Sequence, residues 1–138
     1  MSLANASACI YKMLNTLEIL LKKYPDAKWD WHEISCNINL KMSMIEEFAD
    51  NNWAWECISE NPGITMADIE KNMDKPWNWG FVSQNPNLTM DFINMHPDKE
   101  WDWHEISQNS NITMSDIEKW PDKPWKWCCF SQNPNLTI

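Results

Sequence analysis

Arginine is absent from this 138-residue chain, glycine occurs only twice, and no run of about 18 apolar residues can be found. Each scarcity excludes something. Nucleic-acid binding rests on neutralising phosphates, for which arginine's planar fork is the best-suited side chain. With eleven lysines against twenty acidic residues and a net charge of −9, the chain is not expected to bind nucleic acid. The acidic excess serves solubility, or a basic partner. Without a long apolar run, no membrane span is expected. The cysteines Cys9, Cys36, Cys57, Cys128 and Cys129 are odd in number and have no framework spacing, and an adjacent pair does not suit a simple disulfide staple. No secretory leader is apparent, so an intracellular, reducing compartment is expected, and not secretion.

Tryptophan is present in excess. There are eleven, and ten fall in Trp-x-Trp pairs: Trp29/Trp31, Trp53/Trp55, Trp77/Trp79, Trp101/Trp103 and Trp125/Trp127, at a constant step of 24 residues. Self-similarity at such a period marks a stacked repeat array. A buried aromatic removes about 150–250 Å² from water, so these ten indoles are expected to form the structural core. One unit alone cannot offset the backbone entropy of ordering itself. The stack can.

The spacing predicts two short antiparallel helices per unit. Asp74-Lys75-Pro76 and Asp122-Lys123-Pro124 place an N-cap Asp and a first-turn Pro before the pair, so a helix is expected over roughly Trp77 to Ser83 and its equivalents. Asn61-Pro62, Asn85-Pro86 and Asn133-Pro134 would close it, with Asn in the left-handed cap conformation. Thr65 with Asp68 and Thr113 with Asp116 form capping boxes for the second helix. Ile64/Ile69, Leu88/Ile93 and Ile112/Ile117 stand at hydrophobic-staple positions. Two rings two residues apart on a helix would point in opposite senses, one toward each neighbouring unit. Alternating Trp-x-Trp also suits a strand, and a β-solenoid is the alternative, disfavoured by the shortage of glycine and β-branched residues.

Residues 1–24 lie outside the repeats, with Ile10, Met13, Leu14, Leu17, Leu20, Leu21 and Tyr24 on one helical face ended by Pro25. An amphipathic helix of this kind can cap the open end of a solenoid. It lacks the basic polar face of a membrane-surface helix. The array itself spans 25–138. Unit one departs from the pattern, with Lys41 in place of the capping Thr, and unit five stops at Thr137-Ile138, where its second helix should begin.

Two polar columns recur: Ser35, Ser59, Ser83, Ser107, Ser131 and Asn37, Asn61, Asn85, Asn109, Asn133. A catalytic serine is not needed five times at a structural period. A ladder that bonds helix ends to the adjacent unit is. His32, His104, Cys57 and the Cys128-Cys129 pair form a mixed column suggesting metal. Zinc needs its ligands within about 2.0–2.3 Å of one point, whereas equivalent positions in stacked helices stand about 8–10 Å apart. No metal, cofactor or catalytic residue is therefore expected, and an enzyme would have to use that column. Phe81, Phe92, His96 and Trp120 put rings where other units carry smaller or polar residues, and are candidate partner-binding positions.

The unit Asp-Lys-Pro-Trp-x-Trp-x-x-Ile-Ser-x-Asn-Pro-Asn-Ile-Thr, seen at Asp74 to Thr89 and Asp122 to Thr137, resembles the tryptophan-rich tandem repeats of proteins encoded by giant DNA viruses. The match runs from about Pro25 onward. The resemblance implies a viral protein acting in the infected host's cytoplasm or packaged in a virion, with no known catalytic activity. The reading is an all-α protein, a short α-solenoid of stacked helix-turn-helix repeats with an N-terminal capping helix. Its expected function is a non-enzymatic scaffold for protein–protein interaction; the alternative is an assembly component that self-associates end to end through its incomplete last repeat.

Overall fold

The computed structural model describes residues 16–136, which are all-helical and contain no strand. The β-solenoid alternative is thereby excluded. The expected helix before Thr16, with Cys9, Ile10, Met13 and Leu14, lies outside the described residues, as do Thr137 and Ile138. Helix α1 (Thr16–Lys23) is followed by four complete two-helix units: α2 (Trp31–Ser35) with α3 (Met42–Glu47), α4 (Trp55–Glu60) with α5 (Met66–Lys71), α6 (Trp79–Val82) with α7 (Met90–Met95), and α8 (Trp103–Gln108) with α9 (Met114–Lys119). A 3₁₀ helix, Trp127–Gln132, opens the fifth unit. The first helices of successive units stack on one another, which makes the molecule a helical repeat solenoid.

Aliphatic residues fill the centre. Ile58, Val82 and Ile106 from the first helices are completely buried, as are Leu40, Ile64, Leu88 and Ile112 just before the second helices. Ile45, Ile69, Ile93 and Ile117, five residues after that last set, close against them. These are the staple positions. The pair spans the helix N-terminus and fixes the angle at which the chain enters it. In α1, Leu21 is buried and Leu17 packs on the core, but Leu20 and Tyr24 are exposed, so the inward face is narrower than the sequence spacing suggests. Lys22 joins α1 to α3 through Glu47 at 3.4 Å while also pairing with Glu18 at 2.7 Å.

The second helices start as expected. Thr65 and Thr113 accept from the N–H groups of Asp68 and Asp116, whose carboxylates accept in return from the Thr backbone. Thr89 caps α7 alone, since Phe92 stands where the carboxylate would be, and Lys41 caps α3 with no side-chain bond.

The first helices start later than expected. Each begins at the second tryptophan of the pair, and its N-cap is the residue between the two: Asp30, Ala54, Asn78, Asp102 or Lys126. Asp-Lys-Pro therefore forms a turn and the first tryptophan sits in extended chain before the helix. Among the described residues no φ is positive. Asn61, Asn109 and Asn133 are extended at φ −66, −63 and −78, so they do not adopt the left-handed cap conformation. Their side chains, rather than a permissive backbone, are the reason for asparagine.

Unit two carries Gly63 where the other units carry Asn39, Asn87, Asn111 and Asn135. A Cβ at position 63 would lie 2.2 Å from the carbonyl oxygen of Leu40 in the preceding unit, and that oxygen is backbone, which cannot swing away. Gly63→Ala is expected to lower stability by about 1–3 kcal/mol, the usual range for overpacking. Urea unfolding checks this, and a midpoint equal to that of the parent would show that units one and two can part at no cost.

Candidate functional site

The indole pairs make a continuous seam between units. Each second ring meets the first ring of the next unit edge to face: Trp31 with Trp53 at 4.9 Å, Trp55 with Trp77 at 5.1 Å, Trp79 with Trp101 at 5.3 Å and Trp103 with Trp125 at 5.2 Å. This is the geometry that aromatic quadrupoles favour. The rings do reach opposite neighbours, but because the first precedes the helix, not because both lie on it.

Every first ring also donates its Nε1–H to a carbonyl five residues earlier, at the end of the preceding helix: Tyr24, Phe48, Asn72, His96 or Trp120, at 2.8–3.0 Å. Each of these carbonyls also accepts from the backbone N–H three residues on, so the indole is its second donor and ties the turn to the seam.

The ten rings are not equally buried. Trp53, Trp77 and Trp125 are buried; Trp29, Trp31, Trp55, Trp79, Trp101 and Trp103 are half-buried at the edge of the aliphatic core. Trp127 is 67% exposed and touches only Phe130 among aromatic rings, at 5.0 Å, because no further first ring stands beside it among the described residues. It is not a core residue.

The serine column joins adjacent units. Ser35, Ser59, Ser83 and Ser107 are completely buried. Each hydroxyl donates to the carbonyl four residues back and accepts from the backbone N–H of the next unit's N-cap residue, Ala54, Asn78, Asp102 or Lys126, at 2.9–3.0 Å. In these four serines the hydroxyl both donates and accepts within the frame, and none of them faces solvent. Ser131 is exposed and donates to Cys128 at 3.1 Å.

The asparagine column reaches the other way. Asn61, Asn85, Asn109 and Asn133 are buried, and each Nδ2 donates to carbonyls of the serine and asparagine one unit earlier, at 2.9–3.2 Å. Each Oδ1, including that of the half-buried Asn37, accepts from the N–H two residues on.

A second asparagine column is missed by sequence reasoning. Asn87 donates to the Pro62 and Ile64 carbonyls, both at 2.9 Å, and Asn111 to Leu88 at 2.7 Å. Asn135 reaches Ser110 and Ile112. The signal was present as the recurring Asn-x-Asn spacing.

The four ring residues separate. Phe92 is 3% exposed, against Trp101 at 6.2 Å and His96 at 4.8 Å, so it fills the core and cannot dock a partner. In α5 and α9 the equivalent residues are Asp68 and Asp116, whose carboxylates turn back to Thr65 and Thr113 at the helix start. Phe81, His96 and Trp120 remain partly exposed. His96 is held by Glu70 at 2.6 Å, and the Lys119 ammonium lies 4.3 Å from the Trp120 ring centre.

The expected separation of metal-ligating groups does not hold throughout. His32, Cys36 and Cys57 bring their ligand atoms within 4.8 Å of one another, with His32 Nε2 3.6 Å from Cys57 Sγ. They occupy three different positions of the repeat, so the spacing between equivalent positions does not apply. Burial, then the Cys36 thiol beside it, pushes the Cys57 thiol up to about 12. Protonated at neutral pH, it is a poor nucleophile.

Two grooves open along the indole seam at corresponding places. One of about 620 Å³ is lined by residues from Lys28 to His32 with Asn52, Trp53 and Ala54. Another of about 560 Å³ is lined by Glu100, Trp101, Asp102, Trp103 and His104 with Pro124 and Lys126. Both have indoles in the wall and charged side chains at the rim. No helix among the described residues is long and apolar enough to cross a membrane. Compared with protein-family models, curated proteins and solved structures, the chain gives no match.

Proposed function

We propose that the protein is a non-enzymatic scaffold that binds a protein partner along its indole-lined face. The repetition of equivalent grooves at two seams carries this reading. The frame is committed to stacking through the serines, the asparagines and the first rings. What the molecule then offers is a row of half-buried aromatics with variable neighbours, the composition favoured at binding hot spots. The resemblance to giant-virus repeats adds a viral origin, in the host cytoplasm or a virion, to the same proposal.

The test uses full-length protein bearing Glu100→Lys and His104→Ala, two exposed groove residues outside the stacking frame. A partner captured from infected-cell lysate should cross-link to this groove and bind the variant at least about tenfold more weakly, with an unchanged melting curve. Unchanged affinity, with cross-links on another face, would overturn the reading.

Trp127 favours a second reading, end-to-end self-association, because its exposed ring presents the surface that the other second rings bury against a neighbour. Sedimentation should then show concentration-dependent growth that Trp127→Ala abolishes. A strict monomer over a wide concentration range removes this reading.

A further inference from the structure

We infer that His32, Cys36 and Cys57 form a zinc-binding site that staples unit one to unit two. His32 is the second residue of α2 and Cys36 is its C-cap, four residues on and one helical turn above. Cys57 is the third residue of α4, in the next unit. In a tetrahedral site with Zn–S near 2.3 Å and Zn–N near 2.0–2.1 Å, ligand atoms stand about 3.5–3.8 Å apart. The His32–Cys57 distance of 3.6 Å already matches that edge, and the whole set lies within 4.8 Å. Closing the triangle requires rotation of exposed or half-buried side chains, not movement of helices.

The donor set selects the metal class. Two thiolates and an imidazole suit zinc and disfavour magnesium or calcium, which take oxygen. On binding, each thiol S–H bond breaks and its proton leaves to solvent. The fourth position is left for water, since no carboxylate oxygen belongs to the cluster among the described residues.

The repeat supplies internal controls. The corresponding three positions are Glu56, Glu60 and Phe81 at the second seam, Gly80, Gln84 and Glu105 at the third, and His104, Gln108 and Cys129 at the fourth. Only the first seam has three soft or borderline ligands. It also joins the unit whose second helix, alone among those of the described residues, has no side-chain cap, at Lys41. A metal there strengthens the unit with the weakest local support.

The experiment titrates Zn²⁺ into reduced, chelator-treated full-length protein against a chromophoric chelator, with Co²⁺ absorption as a second readout. One equivalent should bind, with the thiolate-to-cobalt band of a tetrahedral site, and Zn²⁺ should raise the melting midpoint. Cys36→Ser/Cys57→Ser should weaken binding by about 100-fold or more, beyond what loss of an outer-shell partner does, and His32→Gln should also weaken it. Cys128→Ser/Cys129→Ser should bind as the parent does. Circular dichroism confirms that each variant folds, and the exposed His32→Gln serves if the double cysteine variant does not. Failure of the reduced parent to bind one equivalent overturns the proposal, as does undiminished binding by a folded His32→Gln or Cys36→Ser/Cys57→Ser variant. A Cys36–Cys57 disulfide in the isolated protein, with no zinc binding after reduction, would make the cluster a redox pair and overturn it too.

Discussion

Replacing Asn85 with alanine is expected to destabilise the protein by about 3–5 kcal/mol. The side chain is completely buried. Its Nδ2 donates to the carbonyls of Ser59, Asn61 and Ile64 at 3.0, 3.2 and 3.2 Å, and its Oδ1 accepts from the Asn87 N–H at 2.8 Å. Alanine removes the amide: the Asn61 and Ile64 carbonyls keep bonds from the Ile64 N–H and Asn87 Nδ2, but the Ser59 carbonyl and the Asn87 N–H lose the partner seen here. A buried polar group left unsatisfied costs about 1–3 kcal/mol, and two lose their partner together. Asn37→Ala should cost about 1 kcal/mol or less, because Asn37 is half-buried and the bond it is seen to make is the local one from Asn39. Urea unfolding of the two variants reads the difference. Equal costs would mean that the inter-unit bonds contribute nothing beyond the local turn.

Trp77→Ala should be of similar size, about 3–5 kcal/mol, the range for a buried aromatic truncated to alanine. Trp77 loses its burial, its edge contact with Trp55 and its Nε1–H bond to the Asn72 carbonyl at 2.8 Å. Trp77→Phe keeps most of the apolar contact and leaves the Asn72 carbonyl its bond from the Lys75 N–H, so it should cost less, about 0.5–1.5 kcal/mol for the one hydrogen bond lost. Trp127→Ala should fall within about 0.5 kcal/mol of the parent, as exposed substitutions do. Thermal or urea unfolding of the set checks the order. A Trp127 variant as unstable as the Trp77 variant would contradict the assignment of the seam.

The periodic features of the fold were legible and the registers were not. Thr65 with Asp68 and Ile64 with Ile69 announce a helix start through local chemistry, and both helix starts and staples stand where that chemistry puts them. The first helix was expected to start at Asp-Lys-Pro, and the structure starts it later. Asp-Lys-Pro has good cap chemistry, but the first indole's bond to the preceding helix end holds the chain extended past it, and the start moves to Asp30, Asn78 or Asp102. Ala54 and Lys126 at that position obscured the signal.

The serine and asparagine columns were visible because equivalent residues do equivalent work. Phe92 was misleading, since a ring that breaks a polar column looks like a surface feature until its burial is known. The His32, Cys36 and Cys57 cluster could not be read from columns, because it combines three different repeat positions across one seam.

The interlocking of units is tested most directly by native-state amide hydrogen exchange on Trp77→Ala, residue by residue against the parent. Units that cannot stand without their neighbours open together. Protection should fall at Ile58 and Ile69 in unit two and at Val82 and Ile93 in unit three, and also at Ile106 one unit further on. Loss confined to the residues around position 77, with Ile58, Ile69 and Ile106 as protected as before, would show that each unit holds itself and would contradict the account.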